Sequence, residues 1–120
     1  MRTWIKQPVK TNICGQIAVA IIADISLEQS IQAIGRKGCT TTKQVVNALK
    51  KLGYECPGRL KRKPKPEFGI GHLRYPKQYK GHWVVVDGDK IYDGIYGNPD
   101  GTVNWKPGWR ISSYLPVTKN

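Results

Sequence analysis

Apolar positions recur at helical spacing in the first half of the chain and in short runs in the second. Ile13, Ile17, Ala18, Ala20, Ile21 and Ile22 occupy most faces of one segment. A helix apolar nearly all round belongs in the centre of a domain. Asn12 is a natural N-cap for it, which predicts a helix from there to about Asp24. Ser26 and Gln29 form a capping box for a short helix through Ile31 and Ile34, stopped by Gly35. Gly38-Cys39-Thr40-Thr41 is a loop. Thr41 and Gln44 form a second box, opening a helix with Val45, Val46, Ala48, Leu49 and Leu52 on one face. Lys50 and Lys51 suit its C-terminus, and Gly53 is its natural end.

Tyr54-Glu55-Cys56 reads as the start of a strand. Phe68 to Pro76 carries too many glycines to assign; Gly69 and Gly71 lack the Lys-Ser/Thr of a phosphate loop. From His82 to Asp93 the pattern is a hairpin turned by Asp87-Gly88-Asp89. Gly97 to Gly101 is a turn, and Val103-Asn104-Trp105 and Arg110-Ile111-Ser112 are short strand candidates. No repeat or second domain is visible. The expectation is one α+β domain over 1–120, with N-terminal helices packed on a small antiparallel sheet.

Composition narrows the classes. A chain of 120 residues with 39% hydrophobic and 23% charged residues is that of a folded soluble domain. No apolar run reaches bilayer length, and the N-terminus lacks a secretory h-region, so a cytoplasmic location without a membrane span is expected. The three cysteines cannot all pair and form no Cys-x-x-Cys unit. That points to a reducing compartment, a free thiol and no zinc site. Cys39 and Cys56 read as small buried structural residues.

The net charge of +12 favours an acidic partner: nucleic acid, an anionic surface or an acidic protein. The densest stretch, Arg59 to Pro66, reads as an extended or mobile basic loop because its prolines disfavour helix. Lys61, Arg62, Lys63 and Lys65 could dock such a partner or merely solvate a connector.

Candidate chemistry comes from three separated residues. Cys14 opens the apolar helix, where partial positive charge and free N–H groups favour a thiolate. His82 and Asp93 lie on the hairpin. With an Asp87-Gly88 loop they face each other directly. With a Gly88-Asp89 loop, Val86 pairs with Ile91, and they become diagonal neighbours on one face. Either register lets the carboxylate orient the imidazole. Asp89 is an alternative orienter and His72 a weaker base. Gln7 could add a side-chain amide, beside the Cys14 N–H, to an oxyanion site. The tryptophans, Trp83 among them, fill a core or stack on a ligand. No metal or other cofactor is implied.

Gln7 before Cys14-Gly15, the Gly38-Cys39-Thr40-Thr41 helix start, Leu49-Lys50-Lys51-Leu52-Gly53-Tyr54, Gly81-His82-Trp83-Val84-Val85-Val86 and Ile91-Tyr92-Asp93-Gly94 together resemble papain-like cysteine peptidases. The resemblance is strongest to the bacteriocin-processing, double-glycine leader peptidases. It covers most of residues 4–94. It implies a papain-like fold in which Cys14 attacks, His82 is the base, Asp93 orients it and Gln7 lines the oxyanion hole. It implies cleavage of a peptide or isopeptide bond after small residues such as glycine, through a thioester. The same machinery serves glutamine deamidases and transglutaminase-like acyl transferases. A third reading is a non-catalytic basic protein that holds nucleic acid or an acidic protein on the same scaffold.

Overall fold

A computed structural model describes residues 2–8, 10–62, 64–74 and 81–119. Lys63 of the basic stretch lies outside them, as do Tyr75 and Pro76. Three helices precede the main sheet: α1 (Cys14–Ala23), α2 (Leu27–Ile34) and α3 (Thr42–Lys51). The strands are β1 (Tyr54–Glu55), β2 (Phe68–Arg74), β3 (Gly81–Asp87), β4 (Lys90–Tyr92), β5 (Arg110–Pro116) and β6 (Thr118–Lys119). The main sheet is antiparallel in the order β4-β3-β2-β5, and β1 pairs with β6 in a separate two-stranded ladder. The fold is therefore α+β.

Both capping boxes form. Ser26 accepts from the Gln29 N–H and Thr41 from the Gln44 N–H, and each glutamine reaches back to its cap residue. Gly35 ends α2 at φ 88°, a left-handed conformation that glycine takes at least cost. The start of α1 differs from expectation. Ile13, not Asn12, is the N-cap, and no side chain caps the helix. Ile13 is buried in the core while Asn12 is exposed. Burial of the isoleucine sets where the chain turns into the helix, and the Asn12 side chain is left outside it.

From Gly15 to Ile22, α1 is buried at every position. It packs on β3 together with Val45, Ala48 and Leu49 of α3 and Ile70, Val85 and Leu115 of the sheet. Cys14 and His82 lie together at one end of this pair, and Asp24 and Asp87 share a small cavity at the other. The helix and the strand thus run in the same direction. No single helix among the described residues is long and apolar enough to cross a membrane.

The glycine-rich stretch left unassigned from sequence is β2, a strand with a neighbour on each side. Its glycines mark close approach rather than a break. A Cβ at Gly69 would lie 2.3 Å from the Leu115 carbonyl oxygen, and one at Gly71 would press on Ile111 and Val84. Val103 to Trp105 does not form a strand. Val103 makes a single bridge with Gly97, while Asn98 and Thr102 hold a local turn and Trp105 is drawn toward Asp93. The Arg110 strand is longer than expected, reaching Pro116.

The described part of the basic stretch is irregular, with bends at Arg59, Arg62 and Pro64 and one bridge at Lys61. Lys61 exchanges two backbone hydrogen bonds with Tyr114 of β5, at 2.8 and 2.7 Å. That ties it to the sheet edge, with Lys61, Arg62 and Lys65 exposed.

Candidate active site

The hairpin adopts the Gly88-Asp89 loop. Val86 pairs with Ile91 and Val85 with Tyr92, so Asp93, just past β4, is diagonal to His82. The diagonal is spanned by the side chains. His82 Nε2 lies 2.6 Å from Asp93 Oδ1, and the two side chains are 4% and 0% exposed. An isolated carboxylate at that depth would be costly, and this one is not isolated. Its Oδ1 also accepts from the backbone N–H groups of Ile95 and Tyr96, at 2.9 and 3.0 Å. Its Oδ2 accepts from the indole Nε1 of Trp105 at 2.9 Å. Trp4 Nε1 donates to the Asp93 carbonyl oxygen at 2.8 Å. Burial alone would raise the Asp93 pKa; the hydrogen bond and charge of His82, then the Tyr96 N–H and the Trp105 indole, hold it below the ordinary range.

Asp93 occupies Nε2 of the imidazole, leaving Nδ1 for the thiol. Cys14 and His82 are in hydrogen-bonding contact, and each shifts the other. Burial tends to raise the thiol pKa. It is outweighed by the hydrogen bond and positive charge of His82, then by the backbone N–H groups of Trp83 and Gly15, and the net shift is downward. Burial would push His82 down, but Asp93 and Cys14 raise it to about 9. Both shifts run in the direction that favours a thiolate–imidazolium pair.

Gln7 lies beside the pair. Its backbone N–H donates to the Gly94 carbonyl at 2.7 Å, anchoring it next to Asp93. Its side chain is buried, and Nε2 donates to the Thr11 carbonyl at 2.9 Å. One amide hydrogen remains, and Oε1 has no partner.

Cys14, His82 and Gln7 line one groove of about 590 Å³ together with Thr40, Thr41, Leu60 and Trp83. The loop that carries Cys39 and Thr40 is fixed to α1. Gln16 donates to the carbonyls of Arg36 and Gly38, and a Cβ on Gly15 would fall 2.2 Å from Thr40 Oγ1. Cys39 is exposed on this loop, not buried as its sequence suggested, because the Gln16 bonds hold the loop at the groove mouth. Cys56 is half-buried, and burial raises its pKa. His72 lines the same groove with its ring 5.0 Å from that of Trp83. Burial, then Arg74 and His82, lower its pKa, which suits a neutral hydrogen-bonding group.

Asp89 is exposed in the hairpin turn, at the far end of β3 from His82. Of the basic stretch, Leu60 lines the groove, while Lys61, Arg62 and Lys65 do not. Trp4, Trp105 and Thr40 escaped the sequence reading. The available signal was that a buried indole N–H needs an acceptor. Among the described residues, no cluster of three or more His, Cys, Asp or Glu side chains is placed to hold a metal ion. Compared with known proteins, the chain matches no family model, and no curated protein is significantly similar to it.

Proposed function

We propose that this chain is a thiol hydrolase of the papain-like kind, cleaving an amide bond through a thioester on Cys14. The observation that carries the reading is the convergence of Cys14, His82 and Asp93, three residues distant in sequence, the first two opening onto one groove with the thiol pKa lowered. Structural ion pairs also shift pKa values, but a lowered thiol opening onto a groove suits nucleophilic chemistry.

The Cys14 sulfur attacks the carbonyl carbon, and the oxygen takes up the negative charge. The Cys14 backbone N–H and the free amide hydrogen of Gln7 stabilise that oxyanion. As the C–N bond breaks, the His82 imidazolium gives its proton to the departing nitrogen, leaving a thioester. Neutral His82 then takes a proton from water as it adds to the thioester. Collapse releases the acid and restores the ion pair. Asp93 keeps the imidazole aimed throughout. The resemblance to double-glycine peptidases adds the expectation of small residues, glycine above all, on the acyl side.

The test is product mapping by mass spectrometry with a library of glycine-containing peptides. Wild-type protein should yield fragments with a common residue type before the cut, and Cys14→Ala and His82→Ala should yield none. Identical product profiles for all three would remove the proposal.

A further inference from the structure

Carboxylates near the axis shared by α1 and β3 gather at the end away from the groove. The groove lining contains no carboxylate side chain among the described residues. Asp93 is sealed behind His82. Asp24 and Asp87 lie at the other end of α1 and β3, about 15 Å along the helix and about 17 Å along the strand from the thiol–imidazole pair. Glu67 and Asp89 join that end, since the Gly88 N–H donates to the Glu67 carbonyl at 2.7 Å. There Arg2 lies 3.4 Å from Asp87.

At the groove end the balance is one-sided. Lys10 and Lys43 are exposed and follow or precede lining residues in the chain. Arg59 and Lys61 flank Leu60, which lines the groove itself, and Lys61 is pinned by its backbone to β5. Arg74 pairs with the lining residue Gly81 on one side and with Arg110 on the other. Side by side at a strand end, the two arginines repel unless an anion lies between them.

We infer that the groove takes an acidic peptide segment, with carboxylates flanking the bond presented to Cys14. This rests on the function proposed above and names its substrate class. A nucleic acid would meet the same positive field, but it has no peptide bond to offer the thiol–imidazole pair in the groove. An acidic peptide satisfies both features. The field also speeds encounter with such a segment and weakens with salt.

The experiment uses the full chain as Cys14→Ala, so that binding is read without turnover. Fluorescein-labelled peptides with a central Gly-Gly, flanked by glutamates, glutamines or lysines, are titrated by fluorescence anisotropy beside a single-stranded oligo-dT. The glutamate peptide should bind about tenfold or more tighter than the glutamine peptide at low salt, and the gap should shrink at about 0.5 M salt. Arg59→Glu with Lys61→Glu should cut the gap to about threefold or less. Lys51→Glu, at the far end of α3, should leave it unchanged. Equal binding of the glutamate and glutamine peptides, or tighter binding of the oligonucleotide, overturns the inference. Alkylation of Cys14 in the wild-type chain by neutral iodoacetamide is measured in parallel. A reactive Cys14 with no preference for glutamate removes only the acidic-substrate claim. An ordinary Cys14 with a strong preference for glutamate keeps the groove assignment and removes the enzyme.

Discussion

Trp105 Nε1 donates to Asp93 Oδ2 at 2.9 Å, so the carboxylate that orients His82 is itself held by an indole twelve residues further on. Trp105→Phe keeps an aromatic ring and removes the donor. It should cost about 1–3 kcal/mol of stability, the usual penalty for leaving a buried acceptor short of one bond. Peptide turnover should fall as well. Chemical denaturation together with a turnover assay checks both. Unchanged values in both would mean that Asp93 does not depend on this bond.

Asp93→Asn removes the charge that helps raise His82 to about 9. The signs follow directly. A weaker imidazolium gives less support to the thiolate, so the acid limb of the pH–rate profile moves up. His82 then loses its proton sooner, so the alkaline limb moves down from about 9. The bell should narrow from both sides, which a pH series of turnover for wild type and variant would show. A profile of unchanged width contradicts the assigned role.

Gln7→Ala separates oxyanion stabilisation from thiol activation. Loss of one such donor costs about 10²–10³ in turnover. Iodoacetamide alkylation forms no oxyanion, so Cys14 should alkylate at nearly the wild-type rate in this variant. Parallel loss of both would show instead that Gln7 acts on the packing around Cys14.

Gly69→Ala tests the sheet. Its new Cβ would meet the Leu115 carbonyl oxygen at 2.3 Å, a backbone atom held in the β2–β5 ladder. The ladder must shift, and about 1–3 kcal/mol of destabilisation is expected. Thermal unfolding reads this directly, and a melting temperature equal to wild type would show that the ladder yields more easily than the contact implies.

The helices were legible because local chemistry decides them. Ser26 with Gln29 and Thr41 with Gln44 cap within one turn, and Gly35 and Gly53 supply the left-handed stops. The hairpin was legible to within two registers because side chains alternate, and both registers kept His82 and Asp93 on one face. What escaped is set at long range. Asn12 lost the cap to the burial of Ile13. Gly69 and Gly71 look like breakers until Leu115, Ile111 and Val84 close on them. Cys39 faces the groove because Gln16, more than 20 residues earlier in the chain, fixes its loop. The donors around Asp93 could not be paired with it from sequence, since a Trp N–H announces a need for an acceptor but not which one it finds.

We propose that Cys14 and His82 share one proton as a thiolate–imidazolium pair. This is tested most directly by the rate of Cys14 alkylation with iodoacetamide from about pH 5 to pH 9, read by peptide mass spectrometry against glutathione. In the wild-type chain Cys14 should react fast well below the ordinary thiol pKa, and in His82→Ala its onset should move up toward, or beyond, that of glutathione. A Cys14 that tracks glutathione in the wild type, or that is indifferent to the loss of His82, would contradict the account.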